Sequence, residues 1–275
     1  MLFAAAVVVY NKTCADSPTC QALQQSQNAP ASVLICDNST ADYGNRDYCE
    51  KAGWIYLGGN GNLGISKAYN TCIDYLTEQA FDGFVCLFDD DTHLDPSYFS
   101  QLQQACEGAQ EKIFAPLIVA SGKLISPCIL HENHRITIFE NAQDALSYSG
   151  DSLGAINSCM ALDMRLFADY RYDENIFLDG VDHNFILQMR QKGEKIRVFS
   201  YRCDHAFSGT EKPPVKSALV RFQIYAKDYG YILRNNKKAY LRLVGKRALH
   251  LTIQYKTPVF LKLLLSNPKR NEVMQ

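Results

Sequence analysis

No apolar run in this sequence reaches the roughly 20 residues that a helix needs to cross a bilayer. The ten cysteines include no C-x-x-C pair. Several of them sit inside apolar runs, Cys36 in "VLIC" and Cys86 in "FVCLF", so a disulfide framework is not expected and buried free thiols in a reducing cytosol are. There is no H-E-x-x-H and no G-x-x-x-x-G-K-S/T to point to other chemistry. Internal repeats and low-complexity linkers are missing too. The opening "MLFAAAVVVY" has no basic leader and reads as a first buried strand rather than a secretory signal. Neither sign of charge dominates, with 28 Lys/Arg against 29 Asp/Glu in 275 residues. The distribution, however, is uneven. From Glu211 onward there are 14 basic and 3 acidic residues, and before it 14 and 26. Such a tail suits an anionic partner.

What is present is an alternation of apolar runs with helical patterns. "FAAAVVVY" ends at Asn11, "ASVLICDNS" ends in Asp37-Asn38-Ser39, "GWIYLGG" leads into a glycine loop, and "FDGFVCLFDDD" ends in three carboxylates. Helical patterns lie in "TCQALQQSQ", in the stretch carrying Ile65, Ala68, Tyr69, Cys72 and Tyr75 on one face, and in "PSYFSQLQQACEG", bounded by Pro96 and Gly108. This succession predicts an α/β fold, a mainly parallel mixed sheet flanked by helices, with ligands bound beyond the carboxyl ends of the strands. Downstream, "KIFAPLIVA" reads as a strand broken by Pro116, and "KLISPCIL" and "KIRVFSYRCDHAF" as further strands. "DHNFILQMRQKG" reads as a helix with Asp182 at its N-cap and Gly193 as its stop. The one plausible boundary is "TEKPP". It divides a domain over residues 1–210 from a basic helical C-terminal extension over 211–275 with two helical segments.

Two stretches carry chemistry. "LGGNGNLGISKAYN" contains Gly59-x-Gly61-x-x-Gly64, a match to the dinucleotide fingerprint. That cradle belongs after a first strand, and here the loop follows a third. In "FVCLFDDDTHLDPSYF", Asp89, Asp90 and Asp91 emerge together at a strand end. Alternation sends Asp89 and Asp91 to one side. Packing like charges is costly, which implies a hard cation such as Mn²⁺ or Mg²⁺; a solvated acidic turn is the plain alternative.

The order of these features, a strand followed by D-x-D and preceded by "NLGISKAYN", resembles glycosyltransferase family 2. "AINSCMALDMRLFADYRYDENIFLDGVDHNFILQMRQKG" resembles the family's stretch from the acceptor-facing strand to the catalytic-base helix, "CDHAFSG" its late histidine segment, and "RFQIYAKDYGYILRNN" the tail of a rhamnosyltransferase-like branch. The likeness runs from about residue 4 to 236. It departs where the branch often has Gln instead of Asp90, and Ser-Gly instead of Ser158-Cys159.

The resemblance implies a GT-A fold and an inverting, metal-dependent transfer of rhamnose or a similar hexose. The donor would be a dTDP- or UDP-linked sugar and the acceptor a saccharide hydroxyl, lipid-linked, in bacterial surface glycan synthesis. By the same resemblance Asn11 and Asp37 line the base and ribose pocket, and Asn62 and Gly64 let the backbone approach the nucleotide. Asp89 and Asp90 face the donor, Asp91 and His205 bind the metal, and Ser158 and Asp179 lie at the acceptor side. Asp182 is the general base, its charge favoured by the helix N-terminus, with Asp179 the competitor for that role. Asp37 also suits an Asx turn with no ligand. The basic tail would lie on the inner face of the cell membrane, giving a cytoplasmic, peripheral protein with no nucleic-acid partner. The rival readings are an NAD-dependent oxidoreductase and a non-catalytic nucleotide-sugar-binding module.

Overall fold

The computed structural model describes residues 1–26, 29–204 and 213–266. Its centre is an eight-stranded sheet built from β1 (Phe3–Val9), β2 (Ser32–Asp37), β3 (Ile55–Gly58), β4 (Phe84–Asp89), β5 (Ile113–Ala120), β6 (Lys123–Ser126), β10 (Met160–Asp163) and β11 (Ile196–Asp204). The order across it is β3-β2-β1-β4-β10-β5-β11, with β6 folded back on β5. β1 pairs in parallel with β2 and β4, β2 with β3, and β5 with β11, whereas β10 runs antiparallel to both neighbours. The chain winds outward from β1 to β3 and then returns to place β4 on the other side of β1. A crevice opens at such a reversal, beyond the carboxyl ends of the two strands.

Both faces of the sheet are buried, and the strand period of two assigns residues to each. In β1, Ala4, Ala6 and Val8 join one apolar cluster and Phe3, Ala5, Val7 and Val9 the other. In β4, Val85 and Leu87 join the first, and Phe84, Cys86 and Phe88 the second. The first cluster is covered by α3 (Ile65–Glu78) through Ala68, Tyr69, Cys72, Ile73 and Leu76, and by α6 (Val181–Gln191) through Val181, Phe185, Ile186 and Met189. The second is covered by α1 (Pro18–Gln25) and α4 (Tyr98–Cys106), whose Tyr98 packs edge-on against Phe88 and Tyr201. All ten cysteines are free and buried.

Several elements differ from expectation. Pro116 does not break β5. The register of β11 slips between Val198, opposite Ala115, and Arg202, opposite Leu117, so the residue without an N–H sits at a bulge, where a sheet tolerates it. A helix α2 (Asn45–Ala52) and a short α5 (Ala142–Ser147) were not foreseen, nor was a three-stranded sheet of β7 (Cys128–Leu130), β8 (Ile136–Ile138) and β9 (Leu153–Gly154). Asp182 is not the N-cap of its helix. Gly180, at φ 78°, holds that position, and Asp182 falls in the first turn. The tail forms three helices rather than two among the described residues: α7 (Val215–Ile232), α8 (Lys237–Tyr255) and α9 (Val259–Ser266). They share an apolar cluster of their own around Phe222, Val244, Ala248 and Phe260.

Candidate active site

At the end of β4 the alternation continues into the carboxylates. Phe88 faces α1 and α4, so Asp89 turns toward α3 and α6 and Asp90 back toward the α1 side. Asp90 is spent on the protein: its Oδ2 accepts from the Tyr10 N–H at 3.0 Å and its Oδ1 from Lys12 Nζ at 2.8 Å. Its backbone oxygen accepts from Ser17 Oγ at 2.6 Å, and that of Asp89 from Thr19 Oγ1 at 2.6 Å. The Thr19 hydroxyl also accepts from the Thr92 N–H at 2.9 Å. Asp90 and Thr19 therefore stitch the β4 turn to the turn after β1, which fixes the direction in which Asp89 and Asp91 leave the sheet. Asp91 is half-buried, with no hydrogen bond or ion pair among the described residues. His205 lies outside the described residues.

Tyr69 of α3 reports what faces Asp89. Burial, and then the charges of Asp89 and Asp182, push its hydroxyl well above the ordinary tyrosine range. Carboxylates from β4 and α6, 93 positions apart in sequence, thus act on one buried phenol. Asp182 accepts from the His183 N–H through Oδ1 at 2.7 Å.

Asp37 closes β2 as a buried carboxylate with protein partners on both oxygens. Oδ1 accepts from the Ser39 N–H at 3.0 Å, the Asx turn allowed by the sequence, and Oδ2 from Asn45 Nδ2 at 2.9 Å and the Tyr56 hydroxyl at 3.3 Å. Asn11 adopts a left-handed backbone at φ 50° and holds Thr40 through its Oδ1, at 2.9 Å from the Thr40 N–H. Both residues rim the crevice beside the β1 terminus. Ser158, buried ahead of β10, lies 3.4 Å from the Thr92 hydroxyl and so touches the carboxylate turn from the other side.

The glycine loop serves the interior. Asn62 Oδ1 accepts from the Gly64 N–H at 3.0 Å, and the Gly64 carbonyl accepts from Asn38 Nδ2 at 3.1 Å. A Cβ on Gly64, whose φ is +84°, would lie 2.6 Å from both a ring carbon and the carbonyl of Phe177. The missing side chain makes room for the 172–177 segment, to which α3 is bound by Ile65 N–H to Phe177 O at 2.7 Å, Ser66 Oγ to Ile176 O at 2.7 Å and Asn70 Nδ2 to Tyr172 O at 2.9 Å.

The turn before Asp182 is held from the tail. Asp228 of α7 is fully buried and accepts three backbone N–H bonds, from Phe177 at 3.0 Å and from Leu178 and Asp179 at 2.8 Å each. Asp179 pairs in fork fashion with Arg221, also of α7. The sequence reading missed both α7 residues. The signal was there for Asp228, a lone acid inside "AKDYGY" in a basic segment. Asn45, Lys12 and Asn38 were missed because short polar residues in turns look alike until their partners are known.

A family model described as glycosyl transferase family 2 matches residues 6–171, more than half of the chain. The chain belongs to glycosyl transferase family 2. No curated protein matches it. Among solved structures, S. aureus TarS (residues 1–349, in complex with UDP) shares 15% identity at a TM-score of 0.53, with 85% of this chain and 66% of that chain covered. GalNAc-T7 with UDP, GalNAc and Mn²⁺ shares 11% at a TM-score of 0.58, with 87% and 52% covered. The family-2 chain thus spans less than two thirds of either. At such identities the likeness shows the fold, which is GT-A, with the C-terminal helices in addition. Membership removes the dinucleotide reading of the glycine loop, which the packing of Gly64 on Phe177 explains without a ligand.

Proposed function

We propose that this chain transfers a hexose, rhamnose or a close relative, from a dTDP- or UDP-linked donor to a hydroxyl of a saccharide acceptor, with inversion at the anomeric carbon. One observation carries the reading: Asp89, which ends β4, and Asp182, in the first turn of α6, both bear by their charge on the buried Tyr69 hydroxyl. A donor-side carboxylate and a candidate base then face a common space. The family and the UDP in the TarS and GalNAc-T7 structures support the donor class.

A divalent ion fits the residues present. The donors are hard oxygens, and Asp91 offers a half-buried carboxylate without a protein partner among the described residues. No cluster of three His, Cys, Asp or Glu able to hold an ion occurs among the described residues. Mn²⁺ and Mg²⁺ need only one or two carboxylates together with substrate phosphates. Asp91 would hold the ion, with His205 as a proposed second ligand. When bound, such an ion supplies positive charge against the diphosphate leaving group. Asp37 and Asn11 bind the base and ribose in this reading. Asp182 takes the proton of the attacking hydroxyl, while Asp90 and Thr19 keep the β4 turn in place.

A donor panel of UDP-, dTDP- and GDP-sugars tests the proposal by release of nucleoside diphosphate with and without Mn²⁺. Mn²⁺-stimulated release that Asp91→Asn abolishes, and transfer that Asp182→Asn lowers by about 10²-fold or more, are expected. Release from none of the donors, or release indifferent to both substitutions, refutes it. The first outcome, with nucleotide still bound, would favour a binding module without turnover.

The tail has a separate proposed role. No described helix is long and apolar enough to cross a membrane. On α8, however, exposed Leu249 and Ile253 share one face with exposed Lys238, Arg242 and Lys246, the mixed surface that lies on anionic lipid. Peripheral contact there would bring a lipid-linked acceptor within reach.

A further inference from the structure

Among the described residues, buried side-chain nitrogen or oxygen atoms without a hydrogen-bond partner occur on Ser26, His134, Asn157, Tyr170, Tyr172, His183 and Thr252. Folded proteins leave few such atoms, and each needs a reason. Four of these residues gather around Asp182. His183 follows it in sequence, and the His134 ring lies 6.5 Å from the His183 ring, centroid to centroid. The charge of Asp182 reaches the hydroxyls of Tyr172 and Tyr69, and the Asn157 amide sits beside the latter. These polar atoms come from four separate segments: the β7–β8 turn, the approach to β10, the 172–177 segment and α6.

His134 is the most constrained of them. It is 6% exposed, adopts a left-handed backbone at φ 59°, and closes its turn by donating its N–H to His131 O at 2.8 Å. Tyr229 of α7 meets its ring edge-on, with centroids 6.0 Å apart. Burial, and then the neighbouring His183, hold it down at about 4, so it is neutral at physiological pH. A neutral imidazole carries one N–H and one bare nitrogen. Such a ring can donate to and accept from the hydroxyls of a sugar, which are themselves donors and acceptors.

Formal charges argue for an uncharged occupant. Asp179, Asp182 and Asp228 stand against one guanidinium, Arg221, while Arg190 and Glu132 pair with each other at 3.0 Å. A carboxylate-bearing sugar would add to the negative side.

We propose that His134 and His183 bind the hydroxyls of a neutral saccharide acceptor and set which of them meets Asp182. This rests on the glycosyl-transfer reading above, and the test separates the two. The full chain, with Mn²⁺ and whichever nucleotide sugar it hydrolyses, is given methyl glycosides of glucose, galactose, N-acetylglucosamine and glucuronic acid. Transfer, acceptor KM, product linkage and acceptor-free donor hydrolysis are measured for the wild type, His183→Ala and His134→Gln. The expected result is donor hydrolysis within about twofold of wild type in both variants, with acceptor KM raised about tenfold per lost hydrogen-bonding ring or the product linkage altered. The wild type should reject the glucuronide. Unchanged KM and linkage in both variants, acceptance of the glucuronide alongside the neutral sugars, or use of no neutral glycoside at all overturns the histidine assignment. So does a folded variant that loses donor hydrolysis together with transfer, since the rings would then serve the donor. A wild type that hydrolyses no donor removes the transfer reading itself.

Discussion

Gly64 and Gly61 lie three positions apart in one loop and both have positive φ, yet they stand in different surroundings. A methyl group on Gly64 meets Phe177 at 2.6 Å, whereas Gly61, at φ +69°, has open space. Gly64→Ala should therefore add a steric clash to backbone strain and destabilise by about 2–4 kcal/mol, and Gly61→Ala by about 1 kcal/mol from strain alone. Thermal unfolding of both variants checks the difference; equal shifts would mean the Phe177 contact does not matter. His134 gives a second expectation. Its pKa in the folded chain, about 4, lies below the unfolded histidine value of about 6.5. The unfolded state thus binds more protons between those values, so stability falls as pH drops through that window and is unaffected above it. The loss amounts to up to about 3 kcal/mol, and His134→Gln should flatten the pH dependence of the urea midpoint between pH 6.5 and 4. At this scale the sequence displayed the carboxylates of β4, because three adjacent acids after an apolar run cannot be core. It did not separate Asp90 from its neighbours, since nothing local says that Lys12 and the Tyr10 N–H await it.

Elements buried on both faces were the most legible. β1 and β4 are continuous apolar runs ended by polar residues, and they form where the pattern places them. α2 was invisible because its eight residues bury only Asn45 and Cys49, so it lacks an apolar stripe. The strands of the small sheet are two or three residues long and leave no periodicity to read. α7 is the element whose role the sequence concealed. Asp228→Ala would leave three backbone N–H groups without their acceptor, two of them at 2.8 Å in the present structure, at about 1–3 kcal/mol for each buried donor. The expected outcome is a lowered melting temperature together with transfer activity reduced more than donor binding, because the turn before Asp182 loosens while the β4 side is untouched. Asp228→Asn, which keeps one acceptor oxygen, should fall between. Melting and nucleotide-titration measurements on both variants decide it. If Asp228→Ala melts like the wild type, the three bonds are not what fixes the turn.

Across the whole molecule, charge segregation was plain from the counts, but its spatial meaning was not. The acidic part holds the crevice and the basic part forms three helices around their own apolar cluster. A boundary near residue 210 marks a change of composition, and α7 nevertheless reaches back across it to Asp179 and Phe177. Charge reversal at Lys238, Arg242 and Lys246 leaves those contacts alone. It should abolish flotation with anionic vesicles, at about 1 kcal/mol per residue near the surface, while transfer to a soluble acceptor continues. Wild-type flotation should itself weaken as salt rises, over the range in which the Debye length shrinks from about 10 Å to 3 Å. Flotation that neither reversal nor salt affects would separate the basic face from lipid contact.

The grip of Asp228 and Arg221 on the turn before Asp182 also has a temporal side. A nascent polypeptide emerging from the ribosome can complete the sheet, which ends at Asp204, before α7 (Val215–Ile232) is made. Until then the proposed base, Asp182, has no fixed address, so on the reading proposed above a partly synthesised copy would bind a sugar donor without transferring it.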